Sequence, residues 1–215
     1  MELFDIPEHI DRYAEAHSSP EDQVLYDLYR ETYLKTVHPQ MVSGRVQGQF
    51  LAIMSKMIRP RHILEIGTFT GYSAYCLSKG LQKSGKITTI EVNEELEEMI
   101  QQFFQKAGIA QKTELIIGDA LKLLAGMDQK FDLIFLDANK EHYPNYYNIC
   151  IDKLNVGGYM IADNVLWSGK VAKEQFDDQS TKKLREFNDM VQKDKRVENV
   201  FLTIRDGLSI IRKQD

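Results

Sequence analysis

The chain has 215 residues, of which 43% are hydrophobic, and a formal net charge of -5. This length supports one well-buried α/β domain rather than two. The acidic balance is unlike the basic face of a general nucleic-acid-binding protein. No apolar run approaches a membrane span, and residues 1–17 lack the pattern of a signal peptide. Cys76 and Cys150 fall inside predicted helices, so we expect reduced thiols in a cytoplasmic protein.

The chain begins with helices and then alternates between strands and helices. "SPEDQVLYDLYRETYLKTV" predicts a helix capped by Ser19, and "GQFLAIMSKMI" predicts a second helix that ends at Arg59-Pro60. The predicted strands that follow are "HILEI", "KITTIEV", "TELII", "FDLIFLD" and "GYMIAD". The helices between them are "YSAYCLSKGLQ", "NEELEEMIQQFFQKAG", "ALKLLAG" and "YYNICIDKL". This alternation predicts a mostly parallel sheet with right-handed crossovers.

The end of the chain has a different pattern. "VENVFLTI" and "LSIIRK" are joined by Arg205-Asp206-Gly207, which is typical of a β-hairpin. Together with the five earlier strands, this hairpin predicts an α/β fold with a Rossmann-like seven-stranded sheet. The sheet is flanked by helices and ends in an antiparallel pair.

Each of the five predicted parallel strands ends on or beside an acid. These acids are Glu65, Glu91, Asp119, Asp137 and Asp163. Ligands of open α/β sheets bind beyond the carboxyl ends of the strands. One such acid can be a helix cap, and Asp119 alone has that alternative. Five in succession predict a rim of oxygen ligands around one cleft.

"LEIGTFTGYS" is a glycine-rich strand-to-helix turn without the GxGxxG spacing of a dinucleotide site. By itself it could equally be a tight connection. Glu65 before the turn would repel a phosphate but suits a cationic ligand, and Glu91 can accept from both hydroxyls of a ribose. S-adenosylmethionine (SAM) is a positively charged nucleoside without a pyrophosphate. We expect Gly118, Asp119 and Ala120 to close over its adenine edge.

Asp137, Asp163 and Asn164 offer three oxygen donors from neighbouring strand ends. Oxygen donors suit a hard divalent ion, for which Mg²⁺ is the first expectation. The five histidines are scattered, which argues against a dedicated zinc site.

The segments "LEIGTFTGYS", "IEVN", "GDA", "LDANK" and "ADNVLW", in this order, resemble the cation-dependent O-methyltransferases of the catechol and caffeoyl-coenzyme A type. The resemblance runs from "MVSGRVQGQFL" to "RDGLSIIRK". It implies a bacterial member of that family, with a single SAM-dependent methyltransferase domain over residues 1–215 and a helical segment, 1–60, packed on it. It also implies that Asp137, Asp163 and Asn164 bind the cation and that Lys140 is catalytic.

The resemblance also assigns binding positions. Those that match contacts with the methyl donor are Met41, Ser43, Glu65, Gly67, Phe69, Ser73, Glu91 and Ala120, and the predicted set is completed by Gly118, Asp119 and Asp137. Trp167 matches an aromatic residue beside the acceptor, and Lys140 and Asn164 are predicted to contact the acceptor as well. Ala138, Asn139 and Val200 depart from the catechol enzymes, although Glu198 is close to the last of these positions. The resemblance therefore does not assign the remaining residues of the acceptor pocket.

The implied reaction transfers a methyl group from SAM to a hydroxyl of a small vicinal diphenol, catechol-like or caffeoyl-like. A phenol has a pKa of about 10, which a chelating cation lowers. Lys140 then takes the proton, and nearby positive charge is expected to lower its own pKa. The alternative for Lys140 is a surface lysine that opens a helix.

Three further segments have predicted roles. "HPQMVSGRVQG", with Gly44 and Gly48, predicts a mobile loop over the cofactor or a plain connector. "WSGKVAKEQFDDQSTKKL" predicts a wall of the acceptor pocket. The apolar N-terminal helices are expected to form the surface of a homodimer.

The sequence leaves three alternative functions. A tRNA hydroxyuridine O-methyltransferase would need local basic patches, which "RPRH" and "TKKLR" could supply. A nicotinamide-dinucleotide oxidoreductase is disfavoured by the missing third glycine and by Glu65. A non-catalytic SAM sensor is disfavoured because Asp137, Lys140, Asp163 and Asn164 are all present.

Overall fold

The structure is a computed structural model that describes residues 7–214. Residues 1–6, which belong to the predicted helical segment and to the stretch compared with a signal peptide, lie outside the described residues, as does residue 215. The described chain divides into two compact units, residues 7–120 and residues 121–214. One domain over residues 1–215 remains a prediction.

Residues 7–120 contain three helices before the first strand and an alternation of strands and helices after it. The elements are α1 (Glu8–Ala16), α2 (Gln23–Lys35), α3 (Gly44–Ile58), β1 (His62–Ile66), α4 (Tyr72–Ser78), β2 (Lys86–Glu91), α5 (Glu97–Lys106) and β3 (Thr113–Ile117). Leu51 of α3, Leu64 of β1 and Leu77 of α4 are fully buried in the core of this unit. The order agrees with the sequence prediction from the second helix onward.

The second half of the chain alternates in the same way and then ends in a hairpin. Its elements are α6 (Ala120–Ala125), β4 (Phe131–Leu136), α7 (Tyr143–Lys153), β5 (Leu154–Asp163), α8 (Gln179–Lys193), β6 (Val197–Leu202) and β7 (Leu208–Lys213). Tyr143 and Phe187 meet edge to face, with ring centroids 5.3 Å apart, in the core of residues 121–214.

The seven strands form one sheet in the order β3-β2-β1-β4-β5-β7-β6. β1, β2 and β3 pair in parallel, and so do β4 and β5. β7 runs antiparallel to both β5 and β6. Two registers matter for the candidate site: Glu65 lies opposite Thr89, and Asp163 lies opposite Leu208. The predicted Rossmann-like sheet with a C-terminal antiparallel pair is confirmed.

The predicted cap of α2 is wrong. Asp22, not Ser19, caps this helix, and its carboxylate accepts from the backbone N–H of Leu25 at 3.1 Å. Ser19 stands too far before the helix to cap it, and its carbonyl oxygen accepts from Gln49 Nε2 at 3.4 Å. The end of α3 is as predicted, because Arg59 takes a left-handed conformation directly before Pro60.

The prediction of a mobile loop is wrong for residues 44–48, which belong to α3. A Cβ atom at Gly48 would lie 2.6 Å from Cε1 of Tyr72 and 3.0 Å from Sγ of Cys76. Glycine is therefore required here so that α3 can approach α4 closely, and not for backbone flexibility.

Helix α8 was not predicted from the sequence. Its first residues lie in the segment that was assigned to a wall of the acceptor pocket. The sequence does contain signals for this helix. One is the N-cap residue Asp178, whose carboxylate accepts from the N–H of Thr181 at 3.1 Å. Leu184, Phe187 and Val191 follow at helical spacing and are buried.

The two cysteines are buried free thiols, Cys76 in α4 and Cys150 in α7, as expected. Burial raises the pKa of both thiols, that of Cys150 to about 12, so both remain protonated at neutral pH. Among residues 7–214, no helix is long and apolar enough to cross a membrane.

Candidate active site

Glu65 is the carboxylate directly before the glycine-rich turn, and it is completely buried at the end of β1. Its Oε2 atom accepts from the hydroxyl of Thr89 at 2.5 Å. The Thr89 hydroxyl lies 2.5 Å from that of Thr68, which belongs to the turn itself. The chain of polar contacts therefore links the turn after β1 to the neighbouring strand β2.

Glu91 at the end of β2 organises the same turn through its two carboxylate oxygens. Oε2 accepts from the backbone N–H of Phe69 at 2.7 Å, and Oε1 accepts from that of Asn93 at 2.9 Å. Phe69 has φ of 51°, a left-handed conformation that is uncommon for a bulky residue. The carboxylate thus stabilises a strained turn and still has lone pairs available for further donors.

The other predicted contacts of the methyl donor in residues 7–120 have mixed exposure. Gly118 follows β3, and its N–H donates to the carbonyl oxygen of Glu91 at 2.7 Å. Ser43 and Ser73 are buried at the starts of α3 and α4, and Ala120 is buried at the start of α6. The N–H of Gly67 donates to the carbonyl oxygen of Ile90. Met41 is the last residue of a 3₁₀ turn and is 56% exposed. Asp119 directly precedes α6. Glu91 is thus hydrogen-bonded to both Phe69 and Gly118. Glu65 is linked to the turn that contains Phe69 through the hydroxyls of Thr89 and Thr68.

In residues 121–214, Lys140 and Asp137 form a partly buried ion pair. Lys140 Nζ lies 2.7 Å from Asp137 Oδ1, and Lys140 is 9% exposed. Burial is the largest single influence on the pKa of Lys140 and acts to lower it. The charges of Asp137 and Asp163 and the hydrogen bond to Asp137 outweigh burial, so that the pKa is raised.

That direction is opposite to the one expected for Lys140 from the sequence. The expected lowering depends on a helix N-terminus and a cation beside Lys140. The structure instead has a carboxylate in contact with Nζ, at the start of a 3₁₀ turn of three residues. With this carboxylate as its partner, the ammonium form of Lys140 is favoured.

Tyr143 connects the two strand ends that carry the predicted cation ligands. Its hydroxyl donates to the carbonyl oxygen of Asp163 at 2.8 Å and lies 3.2 Å from that of Leu136. The residue is completely buried, and burial raises the pKa of its hydroxyl, which therefore stays protonated. One side chain of α7 thus ties the end of β4 to the end of β5.

Asp163 and Asn164 form the second part of the predicted ligand set. Asp163 is buried, and its Oδ1 atom accepts from the N–H of Asn164 at 2.7 Å. Asn164, Trp167 and Ser168 have φ of 57°, 51° and 53°, so the chain after β5 turns through left-handed residues. The indole of Trp167 is half-buried, and Lys170 Nζ lies 5.9 Å from its ring centroid.

Sequence reasoning did not identify Asp206 as part of this site. Its carboxylate accepts from the N–H of Ser168 at 2.5 Å. Burial raises the pKa of Asp206, while polar interactions with Ser168 and Asn164 act to lower it. The only signal in the sequence was the Asp-Gly pair of the hairpin, which is equally typical of a simple turn.

Arg185 of α8 was also missed, because its segment was considered only as a basic patch. Its guanidinium donates to the carbonyl oxygens of Lys170, Val171, Lys173 and Phe176. One side chain therefore fixes the backbone of the loop that follows Trp167.

The chemistry of the predicted ligands fits a hard divalent cation. Asp137 and Asp163 supply carboxylate oxygens and Asn164 an amide oxygen, the donors that Mg²⁺ and Mn²⁺ prefer. Over residues 7–214, no group of three or more His, Cys, Asp or Glu side chains is placed to hold a metal ion. The predicted set has a different composition, namely two carboxylates and one amide.

Comparison with known proteins identifies the family. A family model described as O-methyltransferase matches residues 15–214. The caffeoyl-CoA O-methyltransferase of Zinnia elegans is 36% identical over 208 residues, which cover 90% of this chain and 83% of that protein. That of Mesembryanthemum crystallinum is 36% identical over 186 residues, covering 80% of this chain and 73% of the relative.

Solved structures agree with this result. The O-methyltransferase TomG of Streptomyces achromogenes, in complex with SAM, superposes with a TM-score of 0.89 at 27% identity and 96% coverage of both chains. The Bacillus cereus O-methyltransferase, in complex with S-adenosylhomocysteine (SAH), has a TM-score of 0.88 at 26% identity and covers 96% of this chain and 97% of its own. Because the family model matches nearly the whole described chain, this protein belongs to the O-methyltransferase family and is a SAM-dependent O-methyltransferase.

Proposed function

We propose that this enzyme transfers the methyl group of SAM to a hydroxyl of a small vicinal diphenol, catechol-like or caffeoyl-like, and that the reaction depends on a divalent cation. The observation that carries the proposal is the partly buried contact of 2.7 Å between Lys140 Nζ and Asp137 Oδ1. It pairs a group that can move a proton with a carboxylate suited to bind a cation.

Asp137, Asp163 and Asn164 are the residues proposed to hold the cation. Their oxygen donors fit Mg²⁺, and Tyr143 ties the backbone of β4 and β5 beside them. The chemistry that a bound divalent cation supplies is a lower pKa for a phenol whose two adjacent oxygens chelate it. A vicinal diphenol has such a pair of oxygens, which is why we propose this class of acceptor.

Lys140 is proposed to receive the proton of the acceptor hydroxyl at Nζ. Only a neutral amine can do so, and the ion pair with Asp137 favours the ammonium. Neutral Lys140 therefore requires that the charge of Asp137 be shared with another positive group. The methyl transfer itself is an in-line displacement: the acceptor oxygen forms a bond to the methyl carbon while the carbon–sulfur bond breaks, and sulfur keeps the electron pair.

The residues proposed to bind SAM are those predicted from the sequence. Glu91 is proposed to accept from the ribose hydroxyls with the lone pairs that Phe69 and Asn93 do not use. Glu65 is buried in the same region of the chain and would favour a cationic ligand. Met41 is exposed and would lose water contact when a ligand covers it.

Trp167 and Asn164 are proposed to contact the acceptor. Trp167 is a half-buried aromatic surface three residues after Asn164, and such a surface suits a phenolic ring. The relatives named as caffeoyl-CoA O-methyltransferases support this class of substrate.

A tRNA acceptor is not favoured. In the segment "TKKLR", Lys182 and Lys183 lie 3.4 Å and 2.7 Å from Asp177 and Glu186, and Arg185 donates to loop carbonyls. These cations are already engaged, and phosphate binding would have to compete with those contacts.

We also propose that the protein forms a homodimer through its N-terminal helices. Large apolar side chains are exposed there, among them Leu34 at 79% and Met57 at 73%. Sedimentation velocity should give twice the mass of one chain for the wild-type protein and a smaller species for Leu34→Glu. A wild-type monomer would contradict this proposal.

Methyl transfer to catechol, to phenol and to bulk unmodified tRNA tests the proposed reaction. Purified enzyme is assayed with excess chelator and again after Mg²⁺ is added back. We expect turnover of catechol with Mg²⁺, its loss with chelator, and far lower turnover of phenol, which has a single hydroxyl. Undiminished turnover under chelation would refute cation dependence, and preferential methylation of tRNA would refute the small acceptor.

A further inference from the structure

We propose that Arg185 is a positioning residue for the methyl acceptor. It holds the loop between β5 and α8, residues 164–178, in the conformation that presents Trp167 to the acceptor ring. This inference rests on the contact between Trp167 and the acceptor that is proposed above. Arg185 lies on α8 and is not among the residues proposed to touch the acceptor, so its effect should be on acceptor affinity and not on the chemical step.

The 164–178 loop is not held by burial of its own apolar side chains. Val165 is completely buried at its start, but from residue 166 to residue 178, all of which the structure describes, no apolar side chain is buried. The regular structure of the loop is a short 3₁₀ turn, Lys170–Ala172. Segments with so few buried apolar contacts open at little cost in free energy. The conformation of this loop therefore depends on polar contacts.

Arg185 makes four such contacts from outside the loop. Its Nε atom donates to the carbonyl oxygen of Val171 at 2.9 Å, Nη1 donates to that of Phe176 at 2.8 Å, and Nη2 donates to that of Lys170 at 2.9 Å. Nη2 also donates to the carbonyl oxygen of Lys173. One planar guanidinium thus joins four peptide groups of the loop. A lysine ammonium has three donors on a single atom and cannot reproduce this arrangement.

The peptide groups that Arg185 holds are bonded in turn to the segment that carries the indole. The N–H of Lys170 donates to the carbonyl oxygen of Trp167 at 3.0 Å, and the N–H of Val171 donates to that of Leu166 at 3.5 Å. Trp167 has φ of 51°, a conformation that is unfavourable for a bulky residue unless its surroundings hold it. Loss of the guanidinium therefore releases the backbone that positions Trp167.

Helix α8 is a firm support for these contacts. Phe187, which lies close to Arg185 on the helix, is completely buried and meets Tyr143 edge to face, with ring centroids 5.3 Å apart. The next turn of α8 carries Asn188, whose Nδ2 atom donates to the carbonyl oxygen of Val165 at 3.1 Å. The same helix therefore holds the start of the loop through Asn188 and the rest of it through Arg185.

The fluorescence of Trp167 tests the structural part of the inference, because the chain has one tryptophan. In Arg185→Lys we expect the emission to shift to longer wavelength and acrylamide to quench it more strongly, since the indole gains access to water. Arg212→Lys is the matched control, at a half-exposed arginine of β7 that pairs with Glu198 at 2.7 Å. Urea denaturation shows whether both variants are folded. Unchanged emission and quenching in Arg185→Lys would mean that the loop does not depend on Arg185.

Catechol binding, followed through the same fluorescence with Mg²⁺ and SAH present, tests the functional part. If the released loop takes its binding conformation in about one molecule in ten, the apparent Kd rises about 10-fold, and we expect a loss of that size in Arg185→Lys. In steady-state assays the KM for catechol should rise by a similar factor, while kcat changes little, because saturating acceptor selects the ordered loop. A protein that is only partly folded would instead lose kcat at unchanged KM.

Asn188→Ala is a second variant, and it decides the question if Arg185→Lys does not fold. It removes the hydrogen bond to Val165, which is a single neutral one, so we expect the KM for catechol to rise by about 3–5-fold. An unchanged KM in this variant would contradict support of the loop by α8. Calorimetry should give an unchanged affinity for SAH in both variants, because the residues proposed to bind most of that ligand lie in residues 7–120.

The outcomes separate this inference from the proposed function. A wild-type enzyme that neither binds nor methylates catechol refutes the proposed acceptor, and with it this inference. Wild-type binding of catechol that Arg185→Lys leaves unchanged refutes the role of Arg185 alone. A loss of SAH affinity as large as the loss of catechol affinity, or a fall in kcat at unchanged KM, shows general damage to the protein and also overturns the inference.

Discussion

The hydroxyl of Tyr143 donates to the carbonyl oxygen of Asp163 at 2.8 Å, across twenty residues of sequence. The same hydroxyl lies 3.2 Å from the carbonyl oxygen of Leu136, the residue before Asp137. A tyrosine of α7 is thus a link between the two strand ends that carry the proposed cation ligands. Its burial also means that the carbonyl groups have little access to water as an alternative donor.

Tyr143→Phe should destabilise the protein by about 1–2 kcal/mol, because it leaves a buried carbonyl without its donor. The ring and its contact with Phe187 are retained, so the loss isolates the hydroxyl. Urea denaturation measures the free energy of unfolding of each variant. The control is Tyr26→Phe, at a position that is 46% exposed. Equal stability of the two variants would mean that the hydrogen bond contributes nothing net.

Gly80→Ala should destabilise the protein by about 3 kcal/mol through overpacking. A Cβ atom at Gly80 would lie 2.0 Å from the carbonyl carbon of Ser55, so the chain after α4 would have to move away from α3. Gly126→Ala is the matched control, because its nearest neighbour is 3.8 Å away. Urea unfolding should separate the two variants clearly, and similar midpoints would contradict the packing argument.

The sequence predicted the sheet well because its strands are short apolar runs with polar ends. "HILEI" and "FDLIFLD" correspond to β1 and β4 within one residue at each end. Helix α8 was missed because its exposed face is strongly polar, and only the spacing of Leu184, Phe187 and Val191 reveals the buried stripe. Local amino-acid composition alone therefore does not reveal a helix whose residues are mostly exposed to solvent.

The residues of the candidate site differ in how far the sequence reveals them. Asp137, Lys140, Asp163 and Asn164 lie within two short motifs, so a linear pattern is enough to propose them. Asp206 reaches Ser168, in the turn after Asn164, through the pairing of β5 with β7, and such a contact depends on strand register. The raised pKa of Lys140 likewise follows from which atom Nζ contacts, and no sequence pattern specifies that.

Asp194 should make stability depend on acid pH. Hydrogen bonds from Arg196 and Tyr147 lower the pKa of Asp194 from its usual 3.8 to about 2. A lowered pKa in the folded state gives stability that is present above pH 4 and is lost as the pH falls towards 2. Since Arg196 is half exposed and solvent screens its charge, we expect Asp194 to contribute about 1 kcal/mol to the free energy of unfolding, which is less than the full pKa shift would imply.

The variant Asp194→Asn should therefore be less stable than the wild type at pH 6, and the difference should narrow as the pH is lowered from 4 to 2.5. Urea denaturation at several pH values measures the difference in the free energy of unfolding between variant and wild type. Asp189→Asn, at an exposed position, is the control. A difference that does not change with pH would show that the lost interaction is not electrostatic.

Glu91→Gln should weaken the binding of SAH by roughly 1.5–3 kcal/mol, because a charge-assisted contact with the ribose is lost. The new amide group would also face one of the backbone N–H donors, Phe69 or Asn93, that the carboxylate now accepts from. Titration calorimetry measures the affinity, and Glu94→Gln at an exposed neighbouring position is the control. Unchanged affinity would mean that Glu91 only supports the turn.

Lys140→Met should reduce turnover by roughly 10²–10⁴-fold, the usual contribution of a general base. Methionine retains a long apolar side chain in this buried position, so packing is largely preserved. The affinity for SAH should change little, because the residues proposed to bind most of that ligand lie in residues 7–120. Lys193→Met, on the exposed face of α8, is the control for loss of one positive charge. Steady-state kinetics with catechol and calorimetry with SAH measure the two effects. If Lys140→Met keeps most of its turnover, the proton leaves by another route, and the role of Lys140 is reduced to its contact with Asp137.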